Sequence, residues 1–190
     1  MDEVAALHKA RVAPVTTLAR KPCSTRRKLL LATAACLGGF GLPARALPTP
    51  TGEAVLTISG RLRKPNQGTQ AVFDMAMLES LAQTTLVAKT PWYSEQRSFT
   101  GPLLRDLLAR CDAQGEALRL SALNDFRADM PMADVLKHDV IVARLLDGKP
   151  MSVRDRGPLF VMYPFNAKPE LRSVVHYSRS VWQLRWIEVL

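Results

Sequence analysis

The stretch GKPMSVRDRGPLFVMYP, residues 148–164, carries two arginines whose spacing suits anion binding. Arg154 and Arg156 flank Asp155 and stand just before an apolar run that ends on Tyr163 and Pro164. A guanidinium presents its N–H donors as a planar fork that matches two oxygens of a phosphate or another oxyanion. Two interpretations stay open: the arginines border a ligand pocket, or they lie on a solvated loop where Asp155 pairs locally.

Two other pairs carry side chains that could contact a ligand. Trp92 and Tyr93 are adjacent in an extended stretch, and they either line a pocket or pack a loop onto a sheet. Asn124 and Asp125 separate two predicted strands and either form a simple turn or make a polar contact to a ligand, because both residue types tolerate turn geometry. Each pair therefore has one structural and one functional interpretation.

The histidines give a weaker signal. His138 ends a predicted helix, where a surface or capping role is expected, and His176 lies near Tyr177 and Arg179. We keep His176 as a candidate ligand contact, although a histidine without acidic or Cys partners at ligand spacing is more often structural. The sequence predicts no metal triad, and it contains no G-x-S-x-G elbow and no nucleotide-binding glycine motif.

Residues 1–46 resemble an export signal. STRRKLLLATAACLGGFGLPARA has a basic cluster, an apolar run and a small-residue site ending at Ala46. Arg26 and Arg27 are similar to a twin-arginine signal, and an ordinary secretion signal with two adjacent arginines is the alternative. The apolar run has about 14 residues, fewer than the roughly 20 of a spanning helix. We expect cleavage after Ala46 and a periplasmic protein that is not integral to the membrane.

The charge is concentrated in that same segment. The whole chain of 190 residues has a net charge of +9, but eight of the 26 basic and two of the 17 acidic side chains lie in residues 1–46. The rest has a net charge of only +3, which does not indicate a nucleic-acid partner. Cys111 alone of the three cysteines follows Ala46, so no disulfide is expected within residues 47–190.

The elements that must position these residues are mostly strands. Alternation predicts a strand in EAVLTISG, Asp74 is placed to cap a short helix, and Asp147-Gly148 predicts a hairpin turn. Pro102 and the leucines that follow predict a helix whose apolar face packs on a sheet. With about seven strands in runs and three short helices, the pattern predicts an α+β, mainly β fold. We expect a linker at residues 47–53 and a single domain at residues 54–190.

The order of these pieces resembles the oxidoreductase molybdopterin-binding domain of sulfite oxidase-like proteins. The resemblance rests on FTGPLLRDLLARCDA, on ARLLDGKPMSVRDRGPLFVMYP and on the closing SVWQLRWIEV, together with VLTISGRL near the start. It spans about residues 56–189. It implies a sheet-rich domain that holds the molybdenum cofactor, molybdopterin, with a Cys thiolate as a further ligand of the metal.

The sequence departs from this pattern at two positions. In the family the metal-ligating Cys ends a strand a dozen or so residues before the leucine-rich helix, where this chain reads LVAKTPWYSEQRSFTG without a Cys. The family's arginine after Pro-Leu is Phe160, which removes one anion contact that the resemblance implies. Cys111 does not replace the thiolate, because its spacing from Leu107 and Leu108 predicts a core position.

These observations leave two functional hypotheses. The first is a binding module, degenerate at the metal site, that takes a periplasmic small-molecule ligand or docks a membrane-bound periplasmic partner protein. The second is an active molybdopterin-dependent oxidoreductase acting on a small oxyanion or a sulfoxide-like substrate. The residues predicted to bind the cofactor, or another ligand if the cofactor is absent, are Trp92, Tyr93, Asn124, Asp125, Arg154, Arg156 and His176.

Overall fold

The computed structural model describes residues 47–190, which form one compact unit. The predicted signal peptide, the twin-arginine motif and the cleavage site lie outside the described residues. Residues 47–53 have no regular secondary structure, but they are tied to the domain because Asp74 Oδ2 accepts hydrogen bonds from the backbone N–H groups of Thr51 and Gly52, both at 2.8 Å.

The first layer is a five-stranded sheet with the order β2-β1-β11-β5-β6. Its strands are β1 (Ala54–Gly60), β2 (Ala71–Asp74), β5 (Ala117–Ala122), β6 (Arg127–Pro131) and β11 (Leu184–Val189). β1 and β11 pair in parallel, and the other pairs are antiparallel. The strand predicted from alternation is confirmed as β1, although Leu56, Thr57 and Ile58 are all buried. Alternation is clearer in the neighbouring β11, where Ile187 is buried beside Ile58 while Trp186 and Glu188 are exposed.

The second layer combines an antiparallel sheet and a buried strand pair. The sheet has the order β3-β4-β8-β9, formed by β3 (Gln83–Ala88), β4 (Arg97–Pro102), β8 (Leu145–Leu146) and β9 (Lys149–Pro150). β7 (Ile141–Ala143) and β10 (Phe160–Met162) pair with each other, and all their residues are buried. The predicted turn at Asp147 and Gly148 is confirmed, with φ values of 48° and 76° that suit a two-residue hairpin.

Four short helices complete the fold: α1 (Met75–Glu79), α2 (Leu104–Arg110), α3 (Met132–Lys137) and α4 (Val174–Arg179). Asp74 caps α1 as predicted, since its Oδ1 accepts from the Met77 N–H at 2.8 Å. α2 buries Leu104, Leu107 and Leu108, which confirms its predicted apolar face. The longest helix among residues 47–190 has seven residues, too few to cross a bilayer.

The predicted class is confirmed, although three details of the prediction were wrong. Pro102 is the last residue of β4 and does not open α2, because its fixed φ suits a strand end as well as a first helical turn. The run DVIVARLL forms β7 and β8 in different sheets, separated at Arg144. Residues 47–190 form eleven strands and four α-helices, and α4 was not predicted, since its six residues, VVHYSR, are too few to show a clear helical period.

Candidate functional site

An open cavity of about 430 Å³ lies beside the β8–β9 hairpin. It combines cationic groups with the ring of Tyr93 and the backbone around Met151. We call it the arginine cavity; its lining consists of Tyr93, Arg97, Leu146, Asp147, Lys149, Pro150, Met151, Asp155 and Arg156.

Arg156 is held at this cavity by an unusual backbone. A single 3-10 turn, Val153–Asp155, begins at Ser152 and ends at Arg156, which has a φ of 71°. This left-handed conformation costs a non-glycine residue roughly 1–2 kcal/mol. Gly157 follows directly, and any Cβ there would overlap the carbonyl oxygen of Met151. The turn therefore holds Arg156 in a strained conformation that its neighbours enforce, a feature often found at functional sites.

The Arg156 guanidinium lies between two aromatic rings. Its Cζ is 4.9 Å from the ring centroid of Tyr93 and 5.3 Å from that of Trp182. Trp182 is brought there because the N–H of Gln183 donates to the Arg156 carbonyl at 3.0 Å. The rings restrict the orientations open to the guanidinium and add cation–π attraction.

Two polar atoms at this place are buried and have no hydrogen-bond partner among residues 47–190: Arg156 Nε and the Tyr93 hydroxyl. A buried polar group without a partner costs roughly 1–3 kcal/mol, and more if it is charged. An oxygen-rich anion in the arginine cavity would accept hydrogen bonds from such groups. A bound anion or an ordered water would supply the acceptor that these two groups lack among residues 47–190.

The charges at the arginine cavity leave a positive excess. Asp147 is engaged, since it accepts from Arg97 at 2.8 Å and from the Ser98 N–H at 2.9 Å. Asp155 accepts a hydrogen bond from the Ser152 hydroxyl at 2.7 Å. Within the described part of the chain, the ion pairs include neither Lys149 nor Arg156. Both cations are therefore available to an anionic ligand.

A second cavity of about 380 Å³ has mainly aromatic and apolar walls, and we call it the aromatic cavity. Trp92 meets Tyr177 edge-on at 5.8 Å and the core residue Phe160 at 5.2 Å. The lining of this cavity consists of Pro91, Trp92, Phe126, Val174, Tyr177, Ser178, Ser180 and Trp182.

The predicted site residues thus separate in space. Tyr93 and Arg156 meet at the arginine cavity, and Trp92 lines the aromatic cavity. Arg154 is exposed on the 3-10 turn and lines neither cavity. Asp155 pairs locally with Ser152 and not with the arginines.

Asn124 and Asp125 form the turn between β5 and β6. Asn124 Oδ1 accepts from the Phe126 N–H at 3.2 Å, and Asp125 has a φ of 64°. Both side chains are exposed, and neither lines the two cavities, whereas the neighbouring Phe126 does. Sequence reasoning missed Phe126 and Trp182 because single aromatic residues give no sign of which cavity they will border.

His176 lies in a separate group that we call the tyrosine cluster: Asp134, His138, Tyr163, Lys168, His176 and Arg179. The hydroxyl of the fully buried Tyr163 and the Arg179 guanidinium both donate to Asp134 Oδ2, each at 2.8 Å. His176 packs edge-on against Tyr163, with Nδ1 2.9 Å from the Ser173 hydroxyl. Burial, together with the hydrogen bond to Asp134, raises the pKa of Tyr163, which is therefore a hydrogen-bond donor and not a base.

His138 also belongs to this cluster. It is the C-cap residue directly after α3, which agrees with the expected capping role, but it is buried with 7% exposure and does not lie on the surface. Its Nδ1 is 3.3 Å from Lys168 Nζ. Burial first, and the Lys168 charge second, lower the pKa of His138.

Cys111 belongs to the core, as its spacing predicted. It is fully buried at the end of α2, and its thiol donates to the carbonyls of Leu107 and Leu108 at 3.5 and 3.4 Å. Burial raises the pKa of Cys111 to about 11, which keeps it protonated at neutral pH. Residues 47–190 contain no group of three or more His, Cys, Asp or Glu that could hold a metal ion.

Thr90 lies in the segment where the resemblance implies a metal-ligating Cys. It follows β3 closely and is buried with 6% exposure, and its hydroxyl has no partner in the described structure. A neutral hydroxyl is not the soft sulfur donor that suits molybdenum. The hydrogen-bond donors that residues 47–190 offer at the arginine cavity therefore fit an anion. The same residues offer no accessible thiolate to bind molybdenum.

A comparison with family models finds a match for this chain. The model described as "Oxidoreductase molybdopterin binding domain" matches residues 55–167, more than half of the chain. This range includes the whole lining of the arginine cavity and ends before α4. A search of curated proteins finds no match.

Proposed function

The chain belongs to the oxidoreductase molybdopterin-binding domain family, and from this premise we propose that it is a binding module. It binds an oxygen-rich anion in the arginine cavity, and no protein thiolate of the domain holds molybdenum there. The family supplies the sheet-rich scaffold around the cavity. The residues that line the cavity supply the chemistry of recognition.

The proposal depends mainly on the conformation and surroundings of Arg156. A strained backbone places its guanidinium between two rings, and a buried Nε is left without a partner in the described chain. Strained backbone and buried polar groups without partners are found together most often where a protein binds a ligand. Lys149 and Tyr93 line the same cavity, and the Lys149 ammonium adds donors that a sulfate-like or phosphate-like group would use.

The chemistry of Cys111 and Thr90 supports the proposal that no protein thiolate of the domain holds molybdenum. The thiol of Cys111 is buried, protonated and bonded to carbonyls of its own helix, so it is not available as a thiolate. The segment around Thr90 offers a hydroxyl in its place. We therefore assign no redox step to this domain.

Anion binding is tested by titrating the full chain with sodium sulfate in a calorimeter. Arg156→Gly should weaken sulfate binding about tenfold to a hundredfold, since hydrogen bonds to charged groups contribute about 1.5–3 kcal/mol. Glycine is chosen because it accepts the left-handed backbone. The matched control is Arg154→Gly, which removes an equal charge two residues away and should leave binding unchanged. Equal losses in the two variants would reduce the site to general surface charge.

Metal content tests the assignment against the alternative function. The full chain is produced in a host fed with molybdate, and molybdenum is measured by elemental analysis. The proposal expects background molybdenum. Near one equivalent of molybdenum per chain would overturn it in favour of an active oxidoreductase for a small oxyanion or a sulfoxide-like substrate.

We also propose that the protein acts in the periplasm, where it meets a small-molecule ligand or a membrane-bound partner protein. The support is the signal-like order of residues 24–46, which lie outside the described structure. Mass spectrometry of the protein from a periplasmic extract should find a chain that begins at Leu47. Recovery of the full-length chain from the cytoplasm alone would contradict export.

A further inference from the structure

We propose that the aromatic cavity is a second subsite, which binds a weakly polar planar ring of the ligand whose anionic group lies in the arginine cavity. The inference rests on the proposed function, because it assumes that the arginine cavity binds the anion. It adds the chemical class of the ligand: a fused aromatic ring that carries an acidic group.

The walls of the aromatic cavity favour a flat ring. Trp92, Phe126, Tyr177 and Trp182 contribute four aromatic side chains, and Val174 adds an aliphatic one. Aromatic rings attract one another in stacked or edge-on arrangements by roughly 0.5–1.5 kcal/mol beyond the area they bury. A volume of about 380 Å³ is within the range of small-molecule sites.

The entrance to this cavity is also apolar. Phe126 is 43% exposed and Val174 is 84% exposed, yet both line the cavity. Large apolar side chains exposed together often mark a binding site. A ring that enters the cavity would cover them.

The linings of the two cavities are in contact through Arg156 and Trp182. Arg156 lines the arginine cavity, and its guanidinium lies 5.3 Å from the ring of Trp182, which lines the aromatic cavity. Trp92 and Tyr93 are adjacent in the chain and line one cavity each. An acidic group attached directly to a bicyclic ring can therefore reach Arg156 while the ring contacts Trp182.

The polarity of the walls opposes a pterin, the ring that the family name suggests. The cavity has no charged or amide side chain in its lining, and its two serine hydroxyls already donate, Ser178 to Val175 O at 2.8 Å and Ser180 to His176 O at 3.0 Å. In exchange for water at its ring nitrogens, carbonyl and amino group, a pterin would find as side-chain partners only indole N–H groups, one tyrosine hydroxyl and the two serine oxygens, which can still accept. Each polar group buried without a partner costs about 1–3 kcal/mol. A hydrocarbon-like ring avoids this cost.

Two carboxylates of similar shape test the inference on the full chain by calorimetry. 2-Naphthoate and pterin-6-carboxylate each carry one carboxylate on a fused bicyclic ring, and they differ mainly in ring polarity. The inference expects 2-naphthoate to bind at least about tenfold more tightly, the equivalent of one unpartnered polar group. Equal or tighter binding of pterin-6-carboxylate would overturn it.

A pair of equally exposed aromatic residues locates the ring. Phe126→Ala should weaken 2-naphthoate binding about twofold to tenfold, as expected for one lost aromatic contact, and should leave sulfate binding unchanged. The control is Trp186→Ala, since Trp186 is 45% exposed on β11 outside both cavities, and neither ligand should be affected. If sulfate binds normally and Phe126→Ala has no effect on 2-naphthoate, this inference fails alone. If sulfate does not bind in an Arg156-dependent way, the proposed function fails.

Discussion

The arginine cavity and the tyrosine cluster each contain a tyrosine and an arginine. The two pairs differ in whether residues 47–190 supply their buried polar groups with a hydrogen-bond acceptor. In the tyrosine cluster the Tyr163 hydroxyl and the Arg179 guanidinium donate to one oxygen of Asp134. In the arginine cavity the Tyr93 hydroxyl and Arg156 Nε are buried, and neither has an acceptor within residues 47–190. One tyrosine–arginine pair is completed by a carboxylate of the chain, and the other is not.

The difference indicates which pair supports the fold and which pair binds a ligand. A buried polar group with a full set of partners contributes to stability. Removing one partner leaves the remaining groups buried without a hydrogen bond, which costs the free energy of their desolvation. A buried polar group without a partner lowers stability, and a bound ligand that supplies the missing hydrogen bond removes this cost. The Asp134 carboxylate therefore shows, inside the same molecule, the chemistry that an anion would supply to Arg156.

The largest effect is expected from breaking the completed pair. Asp134→Ala leaves the buried hydroxyl of Tyr163 without an acceptor and Arg179 without its counter-ion, which should lower the free energy of unfolding by about 2–4 kcal/mol. Urea denaturation followed by circular dichroism measures the change. As a control, Asp129→Ala removes a partner of Arg119 at the surface and should cost less than about 1 kcal/mol. Similar losses in both variants would refute the assignment of the tyrosine cluster to stability.

Removing Arg156 should weaken sulfate binding but hardly change the stability of the fold. Arg156→Gly loses the contacts with Tyr93 and Trp182, but it also removes the left-handed strain and the buried Nε. These terms oppose one another, so we expect the free energy of unfolding to change by less than about 1 kcal/mol while sulfate binding weakens about tenfold to a hundredfold. A loss of 2 kcal/mol or more, measured in the same urea experiment, would make Arg156 a structural residue like Asp134.

The smallest expected effect is the pH dependence of the tyrosine cluster. The pKa of His138 is lowered in the folded protein, so the unfolded chain binds more protons just below the ordinary histidine pKa of about 6.5. Stability contributed by neutral His138 is therefore present above that pH and is lost as the pH falls toward the folded pKa. Thermal unfolding between neutral pH and the onset of carboxylate protonation should show this slope. In His138→Gln the slope should flatten, and a slope that persists unchanged would assign it to another group.

Much of the fold was predictable because its signals are local. The alternation of β1, the cap at Asp74 and the turn at Asp147 depend on residues within a few positions of one another. The core position of Cys111 followed in the same way from the spacing of Leu107 and Leu108. By contrast, the split of β7 from β8 depends on which strand pairs with which, and strand pairing joins residues far apart in the chain.

The candidate site was predictable only in part. Tyr93 and Arg156 were both singled out from the sequence, but their contact joins residues 63 positions apart in the numbering. Nothing in the sequence showed that Arg154 would be exposed while Arg156 would lie between two rings. Phe126 and Trp182 carry no motif, and they acquire a shared role only because the fold places both at the aromatic cavity.

By itself the sequence determined the α+β class, the resemblance to the molybdopterin-binding domains, the residue types able to bind an anion, and the lack of a Cys where a metal ligand was implied. Tertiary structure decided which of the two arginines faces a cavity, which tyrosine has an acceptor, and where the apolar walls meet. The physical reason is that residue identity sets what a side chain can donate, accept or cover. Whether that capacity is satisfied depends on neighbours that only the folded chain brings within contact distance.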